Sequence, residues 1–177
     1  MTTLPQLVFL HGLESGPHGS KYRLLASLDL GSVIAPDCEG VHDPRERLRM
    51  IETTLGGHDD LVLVGSSFGG LMALLYAAAH PAQVAGLVLC APAVHRPELI
   101  ELPDVAKQLP VRVIHGRQDD VVPLAAVRAY CEAHGLSLTV VDDGHRLANS
   151  HAAIERLVRA VVGVYQRGAS SRDPGRT

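Results

Sequence analysis

Aromatic side chains are scarce in this sequence, at 3% of residues and without a single Trp, so any core must be built from Leu, Val, Ile and Ala. Lysine is nearly absent too, with 2 against 14 arginines. The formal net charge is −3 and no basic stripe runs along the chain, which argues against nucleic acid as the main partner. Cysteine is limited to Cys38, Cys90 and Cys131, an odd number at wide spacing. With no CxxC and no Cys/His ligand pattern, neither a disulfide framework nor a metal site is expected. Reduced thiols in a cytoplasmic protein are the simplest reading. The N-terminus lacks a basic region before its first apolar run, which ends at His11, so it does not read as a signal peptide.

Charge is missing altogether from Leu61 to Ala79, a run of 19 residues. About 20 apolar residues can cross a bilayer. Here Ser66, Ser67 and three glycines interrupt the run, two aspartates precede it and His80-Pro81 follow. No basic cluster flanks it, so a membrane span is not expected. A buried strand, a tight turn and a buried helix fit better.

Short apolar runs recur along the chain, at 7–10, 33–35, 61–64, 86–90, 111–114 and 138–141. They are rich in Val, Leu and Ile and lack polar alternation, as strands covered on both faces of a parallel sheet do. The segments between them read as helices. Leu48, Ile51 and Leu55 share one face, and 71–79 is apolar all round. Pro123 and Gly135 bracket 124–134 as a first helical position and a stop. Ile154, Leu157, Val158, Val161, Val162 and Tyr165 form the clearest amphipathic pattern. Strands alternating with helices predict an α/β fold with a mostly parallel sheet of about six strands and helices on both faces. A chain of 177 residues suits one domain, expected over 1–167, with a small, polar, disordered tail at 168–177.

Ligands of such sheets bind beyond the carboxyl ends of the strands, and the polar residues collect there. GSSFG follows the third run and matches G-x-S-x-G with Ser67 at its centre. A serine on a sharp strand-to-helix turn is exposed, and glycines two before and two after it remove side chains that would collide. Gly65 and Gly69 stand at those places for Ser67; Ser66 has Val64 and Phe68 instead. A serine hydroxyl needs a base within hydrogen-bond reach, and the base needs a carboxylate. In chain order the acid comes next and the histidine last. His145 closes the sixth strand's loop after Gly144 and is the candidate base among ten histidines. Asp119, after the fifth strand, is the preferred acid, with Asp120 and the Asp142-Asp143 pair as alternatives. His115 reads as a strand-ending structural residue. Backbone amides of Phe68 and Leu13 are candidates for an oxyanion hole.

FLHGLES, GSSFGG, HGRQDDVVP and DDGHRL, in this order, resemble the α/β-hydrolase family, in particular small bacterial serine esterases without a cap domain. The resemblance spans about Leu7 to Tyr165. It implies an α/β-hydrolase fold, Ser67 as nucleophile, Asp119 as acid, His145 as base, and Leu13 and Phe68 as oxyanion donors. Larger relatives carry two further N-terminal strands, for which the six residues before the first strand leave no room, so a shorter sheet is expected. Between Cys90 and Val111 there is room for one short helix rather than a lid. Adjacency to the motifs nominates His11, Gly12, Val94, His95 and Leu147 as substrate-binding residues, with Leu13 and Phe68 beside them. The expected function is hydrolysis of small carboxylic esters or thioesters through an acyl-enzyme, with no metal or organic cofactor and a small acyl ester as partner. Acyl transfer with the same triad, or a non-catalytic small-molecule-binding protein on the same fold, are the alternatives. A neutral imidazole base predicts activity rising with pH through the ordinary histidine range, near ~6.5.

Overall fold

The computed structural model describes residues 4–95, 102–105 and 109–172. Six strands form one sheet: β1 Gln6–Leu10, β2 Val33–Ile34, β3 Leu61–Ser66, β4 Val84–Cys90, β5 Val111–Gly116 and β6 Ser137–Val141. Their order across the sheet is β2-β1-β3-β4-β5-β6, and every neighbouring pair is parallel. Five helices connect and flank them: α1 Ser20–Ala26, α2 Pro44–Leu55, α3 Phe68–Ala79, α4 Leu124–His134 and α5 His151–Arg172.

Side-chain alternation along the strands divides the core in two. Val8, Leu10, Leu61, Leu63, Leu87 and Leu89 face α2, α3 and α4. Leu7, Phe9, Val62, Val64, Val88 and Cys90 face α1 and α5. Both faces are covered, which is why these runs carry no polar positions. Helix α3 is buried from Phe68 through Ala77, which accounts for its lack of a polar face. Along α5, Ile154, Val158, Val161 and Val162 turn inward, as their spacing predicts.

One helix is unforeseen and one boundary shifts. Helix α1 carries no strong periodic signal, because only Lys21 and Leu25 of its seven residues are buried. At the other end, α5 continues through Arg172, so the domain boundary expected at 167 falls inside a helix; residues 173–177 lie outside the described residues. The stop holds, with Gly135 ending α4 at φ 64° in the left-handed region that glycine adopts without strain, whereas Pro123 is the extended N-cap just before the helix and not its first residue. The link from β4 to β5 is too short for a cap domain. The short helix expected there falls largely on 96–101 and 106–108, outside the described residues, while 102–105 is not helical.

The chain runs from β1 outward to β2, then crosses back over β1 to β3 and proceeds the other way. Connections diverge at the carboxyl ends of β1 and β3, where a parallel sheet opens a crevice.

Candidate active site

Ser67 stands between β3 and α3 with φ 55° and ψ −117°. A non-glycine residue in that conformation is strained, and the backbone around it holds it there. Its N–H donates to Cys90 O at 2.8 Å, while its carbonyl accepts from Gly70 N at 2.9 Å and Ala93 N at 3.0 Å. The flanking glycines have a steric reason. A Cβ on Gly65 would strike the Gly69 carbonyl, and one on Gly69 would strike the carbonyl oxygen of Leu10.

His145 Nε2 lies 3.0 Å from Ser67 Oγ, and His145 Nδ1 lies 2.8 Å from Asp119 Oδ2. An ionised carboxylate only accepts, so the imidazole proton sits on Nδ1 and Nε2 is left to accept the serine hydroxyl. The Asp119 side chain is fully buried, and its Oδ1 accepts from Val121 N at 2.9 Å and Val122 N at 2.8 Å. His115 approaches Asp119 Oδ2 at 3.3 Å while its Nε2 donates to Val122 O at 3.0 Å. Burial pushes the His115 imidazole below its ordinary range, against the opposing pull of Asp119 and the Val122 carbonyl, so it stays neutral.

The loop that carries His145 is fastened by Asp143 and Lys21. Asp143 accepts from Gly144 N, Asn149 N and Ser150 Oγ, each at 2.8 Å. Burial raises the Asp143 carboxyl, but these three bonds and the nearby Lys21 charge outweigh it and hold the group below its ordinary value. Lys21 Nζ donates to Arg146 O at 2.7 Å and so ties α1 to the residue after the histidine. Gly116, at the end of β5, lets this loop approach, since a Cβ there would strike the Asp143 carbonyl.

On the other side of Ser67 the loop after β1 brings Gly12 close: a Cβ on Gly12 would touch Ser67 Cβ at 3.4 Å. Among the described residues, neither the Leu13 nor the Phe68 N–H has a hydrogen-bond acceptor. Ser67 and His145 open on a cleft of about 730 Å³ lined by Gly12, Leu13, Glu14, Ser15, Lys21, Asp120, Val121 and Arg146, among others.

The structure thus brings Ser67, His145 and Asp119 together and sets Gly12 and Leu13 beside them. Asp120 is exposed on the cleft wall and Asp143 fastens the loop; neither bonds His145. The remaining substrate-binding candidates lie away from the cleft lining. His11 is 1% exposed and held beneath the loop, Leu147 is completely buried, and Val94 packs in the core, so none of them reaches the cleft. His95 is half-buried and does not line it either. Sequence reading missed Lys21, although Lys21 and Leu25 are one helical turn apart and so share the buried face of α1. Glu14, Ser15, Val121 and Arg146 lie on loops, where no periodicity marks the side that faces a ligand.

A family model for serine aminopeptidase, S33, matches residues 39–109, a segment that includes Ser67 but stops before Asp119 and His145. A comparison with curated protein sequences finds no match. Among solved structures, the chain is similar to a Xanthomonas campestris pv. campestris protein assigned to the α/β hydrolase superfamily, with 27% identity, a TM-score of 0.78, and 92% of this chain and 98% of that one covered. The fold is also that of mouse alpha/beta hydrolase domain-containing protein 10, at 18% identity, TM-score 0.71 and coverage of 92% and 91%. A monoacylglycerol lipase from Paleococcus ferrophilus shares it at 17% identity, TM-score 0.68 and coverage of 90% and 96%. With its six-stranded parallel sheet, strand-turn-helix serine and these likenesses, the chain has the α/β-hydrolase fold and is similar to members of that family.

Proposed function

We propose that the chain is a serine hydrolase that cleaves small carboxylic esters or thioesters through an acyl-enzyme. The observation that carries this reading is the hydrogen-bonded row Ser67 Oγ, His145 Nε2 and Nδ1, Asp119 Oδ2, at 3.0 and 2.8 Å. As Ser67 Oγ attacks the acyl carbonyl, its proton passes to His145 Nε2. Asp119 holds the ring and stabilises the imidazolium. The carbonyl oxygen becomes negative and takes hydrogen bonds from the Leu13 and Phe68 amides. When the tetrahedral species collapses, the alcohol or thiol leaves with the proton from His145. Water then attacks the acyl-enzyme by the same route and frees Ser67. No step calls for a metal or organic cofactor. The cleft volume is in the range of small-molecule sites.

The family model that matches 39–109 is that of a serine aminopeptidase, so the assay must separate ester from amide. Fluorophosphonate labelling should mark Ser67, and a folded Ser67→Ala chain should lose both label and p-nitrophenyl butyrate hydrolysis. Hydrolysis of aminoacyl p-nitroanilides at rates matching those of esters would move the assignment to peptidase; an unlabelled wild type would point to a binding protein on this fold. We place the protein in the cytoplasm, a reading supported by three buried cysteines, none in a disulfide. Among the described residues, no helix is long and apolar enough to cross a membrane.

A further inference from the structure

Helix α2 sends one charged side chain into the interior. Arg47 is 1% exposed, and among the described residues no carboxylate pairs with it. Its Nη2 donates to His11 O at 2.7 Å and to Gly12 O at 3.1 Å, while among the described residues Nε and Nη1 find no acceptor. The guanidinium also lies 5.4 Å from the centre of the Phe68 ring.

We infer that Arg47 is a positioning residue for the oxyanion hole, orienting and polarising the Gly12–Leu13 peptide whose N–H is one of its two donors. The Gly12 carbonyl and the Leu13 N–H belong to the same planar peptide unit. A cation on the oxygen draws electron density from the nitrogen end, strengthens that N–H as a donor and fixes its direction. His11 adds to this. Its Nε2 accepts from Cys38 N at 3.0 Å, so in the neutral ring the proton is on Nδ1, which donates to Gly12 O at 2.8 Å. The same carbonyl therefore receives two donors, one of them charged.

A neutral side chain could fasten the loop just as well. An arginine with no carboxylate beside it among the described residues is costly to bury and puts positive charge beneath the place where negative charge develops. Its contact with Phe68, which carries the second donor, puts one side chain behind both.

This inference rests on the esterase reading above, and the experiment keeps the two apart. Wild type, Arg47→Gln and Arg47→Lys are assayed on p-nitrophenyl butyrate, with kcat referred to the fraction of Ser67 titrated by a fluorophosphonate. Binding of phenylboronic acid, which adds to Ser67 Oγ as a tetrahedral anion, is measured beside binding of the neutral amide analogue of the substrate. In Arg47→Gln, kcat should fall roughly 10- to 100-fold with boronate affinity falling in parallel. KM and amide binding should move little, and Arg47→Lys should restore part of the loss. A titratable Arg47→Gln with wild-type kcat and boronate affinity overturns the inference and leaves the esterase reading intact. Should Arg47→Gln not fold, Arg47→Met, which keeps an apolar stem but removes the cation, decides; wild-type kcat and boronate affinity in it would overturn the inference. A wild type that is neither labelled nor active overturns both.

Discussion

Asp119 shows how much one residue can be asked to do. One carboxylate oxygen is taken by two backbone amides of its own loop, which leaves the other for His145. Asp119→Asn should keep the amide-held geometry but offer an NH₂ or a weaker acceptor to His145 Nδ1. The proton then favours Nε2, the nitrogen that accepts from Ser67 in the proposed mechanism. We expect kcat to drop by about 10³–10⁴-fold with the fold retained, checked by steady-state kinetics beside circular dichroism. The residues that form this row were legible in the sequence because each follows directly on an apolar run, where the chain must leave the sheet. Arg47 was less visible. It lies four residues before Ile51 and eight before Leu55, on the same buried face of α2, yet an arginine in a polar helix is ordinarily read as solvated.

At the level of elements, α2 and the loop after β1 depend on each other. Helix α2 begins at Pro44 with Asp43 as its cap, whose carboxylate accepts from Arg45 N at 3.0 Å and Glu46 N at 2.8 Å. Asp43→Ala should cost about 1 kcal/mol, read as a lower urea midpoint. Because Arg47 sits in the same first turn, that loss should also lower kcat; an unchanged kcat would mean that the arginine is held by its own contacts. Strands and long helices were readable because each is buried along a regular stripe. Helix α1 was not, since seven residues with two inward positions give no period to detect. The cleft wall was least readable: loop side chains face a ligand according to how neighbouring loops stack, and nothing in the local sequence encodes that stacking.

For the molecule as a whole, two buried histidines set the response to acid. Burial holds His11 and His115 below the ordinary imidazole range. The unfolded chain takes up protons at both near pH ~6.5, whereas the native chain does so only at lower pH. Stability is therefore full above that value and falls as pH drops toward the native values. Asp143 acts in a separate window, because its depressed carboxyl contributes stability above the ordinary aspartate range that is lost only in stronger acid. Urea midpoints measured from pH 8 to pH 5 should decline below about 6.5; a flat profile would show that neither imidazole is held neutral.

Ser67 also occupies the N-cap position of α3, and serine at such a place ordinarily accepts a hydrogen bond from the helix's first turn. Here its side chain makes no such bond, and its hydroxyl faces His145 instead. The helix thus begins uncapped, on a residue already in a strained conformation. On the proposed mechanism, reactivity at this position is held at the expense of local stability, and selection for a more stable chain would press first on the one residue that chemistry cannot give up.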